Sequence, residues 1–101
     1  MDRLLSLENR INQESMDLIR WKMNSSPDSG LNKEEVEIAI EEYRRFLILK
    51  MENPGVSLAP TNIMDRAWHM HILDTKRYAE DCETMFGGFL HHRPSYKGYD
   101  S

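Results

Sequence analysis

All four histidines of this 101-residue chain lie between positions 69 and 92. The same stretch carries carboxylates, one phenol and the single cysteine, so its side chains can transfer protons or hold a metal ion. Imidazole has a pKa near neutrality, which suits a general base or a general acid. We therefore treat this stretch as the candidate functional region.

Two of the histidines, His69 and His71, are separated by one residue, which suggests a metal chelate. The expected helical geometry argues against it, because residues two positions apart on a helix point roughly 200° apart. Asp65 lies one turn before His69 and can hold its ring by a hydrogen bond at the surface. His71 lies beside Asp74 and Tyr78, on the flank of an apolar stripe. We predict that His71 is partly buried and functional.

The second pair, His91 and His92, follows two glycines that can fold the tail back along the preceding helix. One of these imidazoles would then meet His71 or His69. Two facing imidazoles can act as base and acid in the cleavage of a phosphodiester. Alternatively, His71, Asp74 and one tail histidine supply three ligands to a divalent metal such as zinc, with a position left for water. The cofactor stays unknown.

These side chains predict a pocket for a small anionic, nucleotide-like ligand between the third expected helix and the returning tail. Aromatic faces can stack on a base, and cations can hold a phosphate. The chain lacks the zinc signature of two histidines four apart with an adjacent glutamate, and it lacks a phosphate-binding glycine-rich loop. The predicted catalytic residues are His69, His71, Tyr78, His91 and His92. The predicted ligand-binding residues are Asp65, Trp68, Asp74, Lys76 and Arg93.

Three helices with short links are expected to position these residues. Apolar side chains at spacings of three and four predict the first helix over roughly residues 3–23, with Trp21 on its apolar stripe. Asn32 and Glu35 have the spacing of a capping box, so the second helix begins there and ends near residue 51.

The third helix is expected to begin at Thr61 or Asn62 and to end before the Gly87-Gly88 pair. The predicted fold is therefore an all-α bundle of about three helices with an ordered His-rich C-terminal tail. We expect one domain over residues 1–101, with two helices and a crossing segment in 1–60, and the Trp-His-x-His helix and tail in 61–101.

Composition limits the partners of the chain. Seventeen acidic residues against thirteen basic ones give a formal net charge of −4, which argues against binding to duplex nucleic acid. No apolar run approaches the ~20 residues of a membrane span. The single cysteine, Cys82, excludes an internal disulfide and fits the cytoplasm, that of the host cell if the protein is viral. The apolar stripe of the first helix predicts a homo-oligomer.

The C-terminal third of the chain resembles the small domain of the glycine-rich domain-containing protein-like family. The matching residues are Asp65, Trp68, His69, His71, Tyr78, Asp81, Cys82, Gly87 and His91. Short stand-alone relatives of that family occur in bacteria and phages, where small accessory proteins counter host defence. The resemblance thus implies that the pocket degrades a nucleotide defence signal. The alternative is a non-catalytic module that sequesters a ligand or binds a protein.

Overall fold

The computed structural model describes residues 3–26 and 30–91. Within these residues all regular structure is helical, which confirms the all-α class. The helices are α1 (Arg3–Glu8), α2 (Gln13–Ser25), α3 (Lys33–Glu52), α4 (Asn62–Leu73) and α5 (Thr75–Phe86). The expectation of about three helices is wrong, because a capping residue divides both the first and the third expected helix.

The first division is at Asn12, between α1 and α2. The backbone of Asn12 is extended, and its side chain accepts hydrogen bonds from the N–H groups of Glu14 and Ser15. A side chain that caps the first turn of a new helix marks the end of the preceding one. The core face of α2 is formed by Ser15, Met16, Ile19 and Met23. Trp21 is not on that face, and its 65% exposure shows that its predicted place on the apolar stripe is wrong.

The second expected helix is confirmed as α3. The Asn32 side chain accepts from the Glu35 N–H at 2.8 Å, and the Glu35 carboxylate accepts from the Asn32 N–H at 3.0 Å. Both halves of the capping box are therefore present. The buried face of this helix consists of Val36, Ala39, Ile40, Tyr43, Phe46 and Leu47. Since α3 packs against α1, α2 and α4, it is the central helix of the bundle.

The second division is at Asp74, between α4 and α5. The Asp74 N–H still bonds to the carbonyl of His71, while its side chain accepts from the N–H of Arg77 and starts α5. The chain changes direction there, so that the side chains of His71 and Asp81 meet across the junction. At its other end, α5 stops at Gly87 as expected, with φ at +71°, a conformation that favours glycine.

Between α3 and α4 the chain runs back along α3. Lys50 Nζ donates to the carbonyl of Val56 at 2.6 Å, and the Thr61 hydroxyl donates to the Glu42 carboxylate at 3.0 Å. These two contacts set an antiparallel course, because the later residue of the segment lies beside the earlier residue of α3. A groove remains between α3 and this segment.

The ordered His-rich tail is not confirmed, because residues 92–101 lie outside the described residues. The chain up to His91 does pack on α5. The Tyr78 hydroxyl donates to the Leu90 carbonyl at 2.5 Å, and the Phe89 ring meets the Tyr78 ring edge-on at 5.2 Å. Of the helices in the described ranges, none is both long and apolar enough to cross a membrane.

Candidate functional site

His71 lies in the last turn of α4 and is 2% exposed. The Tyr43 hydroxyl lies 2.7 Å from its Nδ1, and one oxygen of Asp81 lies 2.7 Å from its Nε2. A carboxylate accepts hydrogen bonds, so the proton of a neutral ring belongs on Nε2, and Nδ1 accepts from the phenol. Both ring nitrogens are thus engaged by protein atoms.

The environment of His71 favours this neutral form. Burial lowers the pKa of His71, and the hydrogen bond and charge of Asp81 oppose that effect without reversing it. Burial also raises the pKa of Tyr43 well above its ordinary value, so the phenol keeps its proton. Both the phenol of Tyr43 and the imidazole of His71 are therefore favoured in their neutral forms.

The Asp81 carboxylate extends these hydrogen bonds to α2. Its second oxygen accepts from the Asn12 amide at 3.2 Å, and the oxygen that meets His71 also accepts from the Ser15 hydroxyl. Arg77 Nη1 donates to the Ser15 hydroxyl at 3.3 Å and brings a cation close to the carboxylate. We call Ser15, Tyr43, His71 and Asp81 the buried network. It joins α2, α3, α4 and α5, and no buried side-chain nitrogen or oxygen of the described residues lacks a hydrogen bond.

Trp68 and Tyr78 lie next to the buried network and are also buried. The Trp68 indole N–H lies 2.9 Å from the Tyr78 hydroxyl, and the ring of Tyr78 meets the ring of His71 edge-on at 4.9 Å. Burial raises the pKa of Tyr78 above its ordinary value. Trp68 packs on Phe46 with ring centroids 4.9 Å apart. These contacts anchor the rings in the core.

The other predicted catalytic residues are further out. His69 is exposed on α4, and His91 is exposed with its ring 4.9 Å from that of Phe89. His92 lies outside the described residues. The structure therefore brings Trp68, His71 and Tyr78 together and leaves His69 at the surface. The catalytic roles stay predictions.

The predicted ligand-binding residues also lie at different places in the structure. Asp65 is half-buried in the first turn of α4, and Lys76 is exposed on α5. Asp74 caps α5 and lies 3.7 Å from the Arg77 guanidinium. Arg93 lies outside the described residues. In the parts of the chain that the structure describes, no group of three His, Cys, Asp or Glu side chains is placed to hold a metal ion.

The groove beside α3 has a volume of about 660 Å³. Its apolar lining comes from Ile38, Phe46, Leu49, Leu58, Ala59 and Met64. Its polar lining comes from Glu37, Glu41, Glu42, Arg45 and Thr61. Ile38 is 50% exposed and Leu49 is 48% exposed, although both are large apolar side chains. None of the predicted site residues is among these lining residues.

Comparison with known families places α2 to α5 in one of them. The family model described as UCP032817-like matches residues 9–97, which is most of the chain. The chain belongs to the UCP032817-like family. A comparison with curated proteins gives no match, and neither does a comparison with solved structures.

This membership corrects the resemblance to the glycine-rich domain-containing protein-like family. That resemblance rested on a third of the chain, whereas the UCP032817-like match runs from the end of α1 to beyond α5. Several of the residues that carried it, including Trp68, His71, Tyr78 and Asp81, are buried and hydrogen-bonded to one another. Residues of this kind report how a helical core is packed, and they do not identify a chemistry by themselves.

Sequence reasoning missed three members of the buried network in this UCP032817-like domain. Tyr43 and, as a site residue, Asp81 bond the His71 ring, and Ser15 donates to Asp81. In one continuous helix, residues ten apart are separated by roughly 15 Å along the axis, so His71 and Asp81 could not meet. The capping position of Asp74 was the available signal, because an aspartate inside an apolar pattern can divide a helix. Ser15 and Tyr43 reach the site through packing between helices, for which the sequence has no local signal.

Proposed function

We propose that this domain is a non-catalytic protein-interaction module and that the groove between α3 and residues 56–61 is its binding surface. The proposal is based on the contrast between His71, which is buried, and the groove, which is open to solvent. Both ring nitrogens of His71 are occupied in the core, whereas Ile38 and Leu49 are half exposed to solvent. Apolar side chains inside a polar rim are typical of a protein interface.

The electrostatics of the groove favour a protein over a nucleotide. Glu37, Glu41 and Glu42 line it together with the single cation Arg45. Arg45 already lies 3.3 Å from Glu41. Glu37 lies 2.7 Å from Arg20, so the carboxylates of Glu37 and Glu41 are each paired with an arginine. A phosphate group would have to displace Glu41 from Arg45 and would lie beside Glu42, which is unfavourable. The predicted small anionic ligand is thus not assigned to this groove, while the predicted homo-oligomer is compatible with it.

Hydrolysis of a nucleotide-like phosphodiester remains the second candidate. Tyr43, His71 and Asp81 follow one another as hydroxyl, imidazole and carboxylate, an order that acid–base catalysis uses. Tyr43 is 0% exposed, so a substrate could reach the hydroxyl only if α3 and α4 separated. A metal-assisted reaction would likewise require His71 to give up one of its two hydrogen bonds. These requirements make catalysis the weaker candidate.

Photo-cross-linking tests the proposed function. A photoreactive phenylalanine analogue is placed at Ile38 or Leu49 in the groove, and at the exposed Lys76 or His69 as controls. We expect discrete protein adducts from the two groove positions and none from the controls. Equal adducts from all four positions, or none from the groove, would remove the proposal.

A nucleotide panel tests the second candidate in parallel. The protein is incubated with linear and cyclic nucleotides, with and without chelator, and the products are analysed. We expect no turnover. Turnover that Tyr43→Phe abolishes while the circular dichroism spectrum is retained would establish catalysis by the buried network instead.

A further inference from the structure

We propose that the groove is occupied by a second copy of this chain, whose α3 lies antiparallel against α3 of the first copy. This inference rests on the proposed function, because it names the partner of the same surface. It is carried by four residues of α3 that line the groove: Ile38, Glu42, Arg45 and Leu49. Their spacing of four, three and four is the spacing of the contact seam in a coiled coil.

The seam formed by these four residues is complementary to the same seam of a second copy when the two helices are antiparallel. In a twofold antiparallel pair, Ile38 faces Leu49 of the second copy, and Leu49 faces Ile38 of the second copy. In the same register, Glu42 faces Arg45 of the second copy, and the reverse contact also forms. Two apolar layers then enclose two ion pairs. A parallel pair would instead place Glu42 against Glu42 and Arg45 against Arg45, so charge selects the antiparallel arrangement.

The charged residues of the seam are positioned before any partner arrives. Glu42 accepts a hydrogen bond from the Thr61 hydroxyl at 3.0 Å, which holds its side chain at the groove. The Arg45 side chain is 72% exposed and lies 3.3 Å from Glu41 one turn earlier. Side chains that are already oriented lose less freedom on binding, which favours association.

Part of the surface that the sequence predicts for self-association is used by the core of the domain. The apolar stripe of the first expected helix supplies Leu7 and Ile11 to the interior, where they are 7% and 6% exposed. These two side chains are therefore not available for a partner, whereas Trp21 of the same predicted stripe is 65% exposed. The role of this stripe in oligomerisation stays a prediction.

The length of the seam sets the strength of the dimer. From Ile38 to Leu49 the helix rises roughly 16 Å, so the contact covers about three turns. A contact of this length belongs with small, transient interfaces. The dimer should therefore form at high protein concentration and dissociate on dilution.

Charge reversal combined with sedimentation equilibrium tests the proposal. Glu42→Arg or Arg45→Glu alone places like charges together twice in each dimer, and we expect either change to weaken dimerisation by more than about tenfold. The double variant restores both ion pairs and should dimerise much as the original chain does. The matched control is the Lys76→Glu, Glu80→Lys exchange on exposed positions of α5, which should have no effect.

A protein that stays monomeric at every concentration would overturn the proposal. A double variant no better than the worse single variant would overturn it too. Circular dichroism on each variant shows that the helices are intact.

Disulfide trapping tests the register. Chains with Ile38→Cys are mixed with chains carrying Leu49→Cys under oxidising conditions, and we expect a disulfide between the two variants. Ile38→Cys alone should not cross-link to itself, because the two copies of position 38 lie roughly 16 Å apart along the pair and a disulfide needs close Cα atoms. Self-linkage of Ile38→Cys would overturn the register.

The two proposals fail in different ways. Groove adducts that contain another protein, together with a monomer in sedimentation, would remove only the second copy as the partner. The absence of any groove adduct would remove the proposed function as well.

Discussion

The two sides of α3 contrast sharply. On the inner side, Tyr43 donates to the most chemically suggestive residue of the chain, His71, in a site that is closed to solvent. On the outer side, Ile38 and Leu49 leave apolar surface exposed beside a groove. The residues that look reactive are used for packing, and the residues that look like ordinary helix surface are left for a partner. The type of a residue indicates what it can do, and its exposure decides whether a partner can reach it.

Loss of the Asp81 carboxylate from the buried network should destabilise the domain more than the other changes below. Asp81→Ala leaves the Nε2–H of His71, the hydroxyl of Ser15 and the amide of Asn12 without their acceptor. We expect a loss of about 4 kcal/mol in the free energy of unfolding, measured by urea titration. Glu83→Ala on the exposed face of α5 is the control and should change the free energy by less than about 0.5 kcal/mol. A similar loss in both variants would mean that the network does not stabilise the core.

Two leucines of α3 allow the contributions of its inner and outer sides to stability to be compared. Leu47 is 0% exposed and Leu49 is 48% exposed, two positions later. Leu47→Ala should lower the free energy of unfolding by about 3 kcal/mol, because it leaves a cavity in the core. Leu49→Ala should lower it by less than about 0.5 kcal/mol while weakening association through the groove. Equal losses of stability would show that the outer side belongs to the core.

The pH dependence of stability probes His71 itself. Burial lowers its pKa below the ordinary value of 6.5, so the unfolded chain takes up a proton that the folded chain resists. The stabilisation is complete above the pKa of the unfolded state and is lost as the pH falls from 6.5 toward the folded value. The slope for one proton is at most about 1.4 kcal/mol per pH unit.

Urea titrations between about pH 6.5 and 5 measure this slope, over a range chosen from the ordinary pKa of histidine. A flat profile over this range in the original chain would contradict the burial of His71.

The features that were predicted correctly from the sequence are those that depend on local residue patterns. The Asn32–Glu35 capping box and the end of α5 at Gly87 depend on residues within one turn, and the structure has both. The helix breaks at Asn12 and Asp74 were missed, because apolar spacing continues across both positions. Those divisions bring Ser15 and Asp81 to His71, so the network could not be assembled from a pattern of long helices.

The predicted pocket depended on a returning tail, and its members His92 and Arg93 lie outside the described residues. The groove was missed for a different reason. It requires residues 56–61 to run back along α3, which is fixed by contacts such as that between Thr61 and Glu42, nineteen positions apart. Heptad spacing on the outer side of α3 was the one signal that the sequence offered for it.

Chemical modification of the histidines tests whether His71 is closed to solvent. Diethyl pyrocarbonate reacts with an unprotonated ring nitrogen that solvent can reach, and mass spectrometry identifies the modified residues. We expect His69 and His91 to react in the folded protein, and His71 to react only after unfolding in urea. Modification of His71 in the folded protein at the rate of His69 would contradict it, because the buried network would then be open to a substrate.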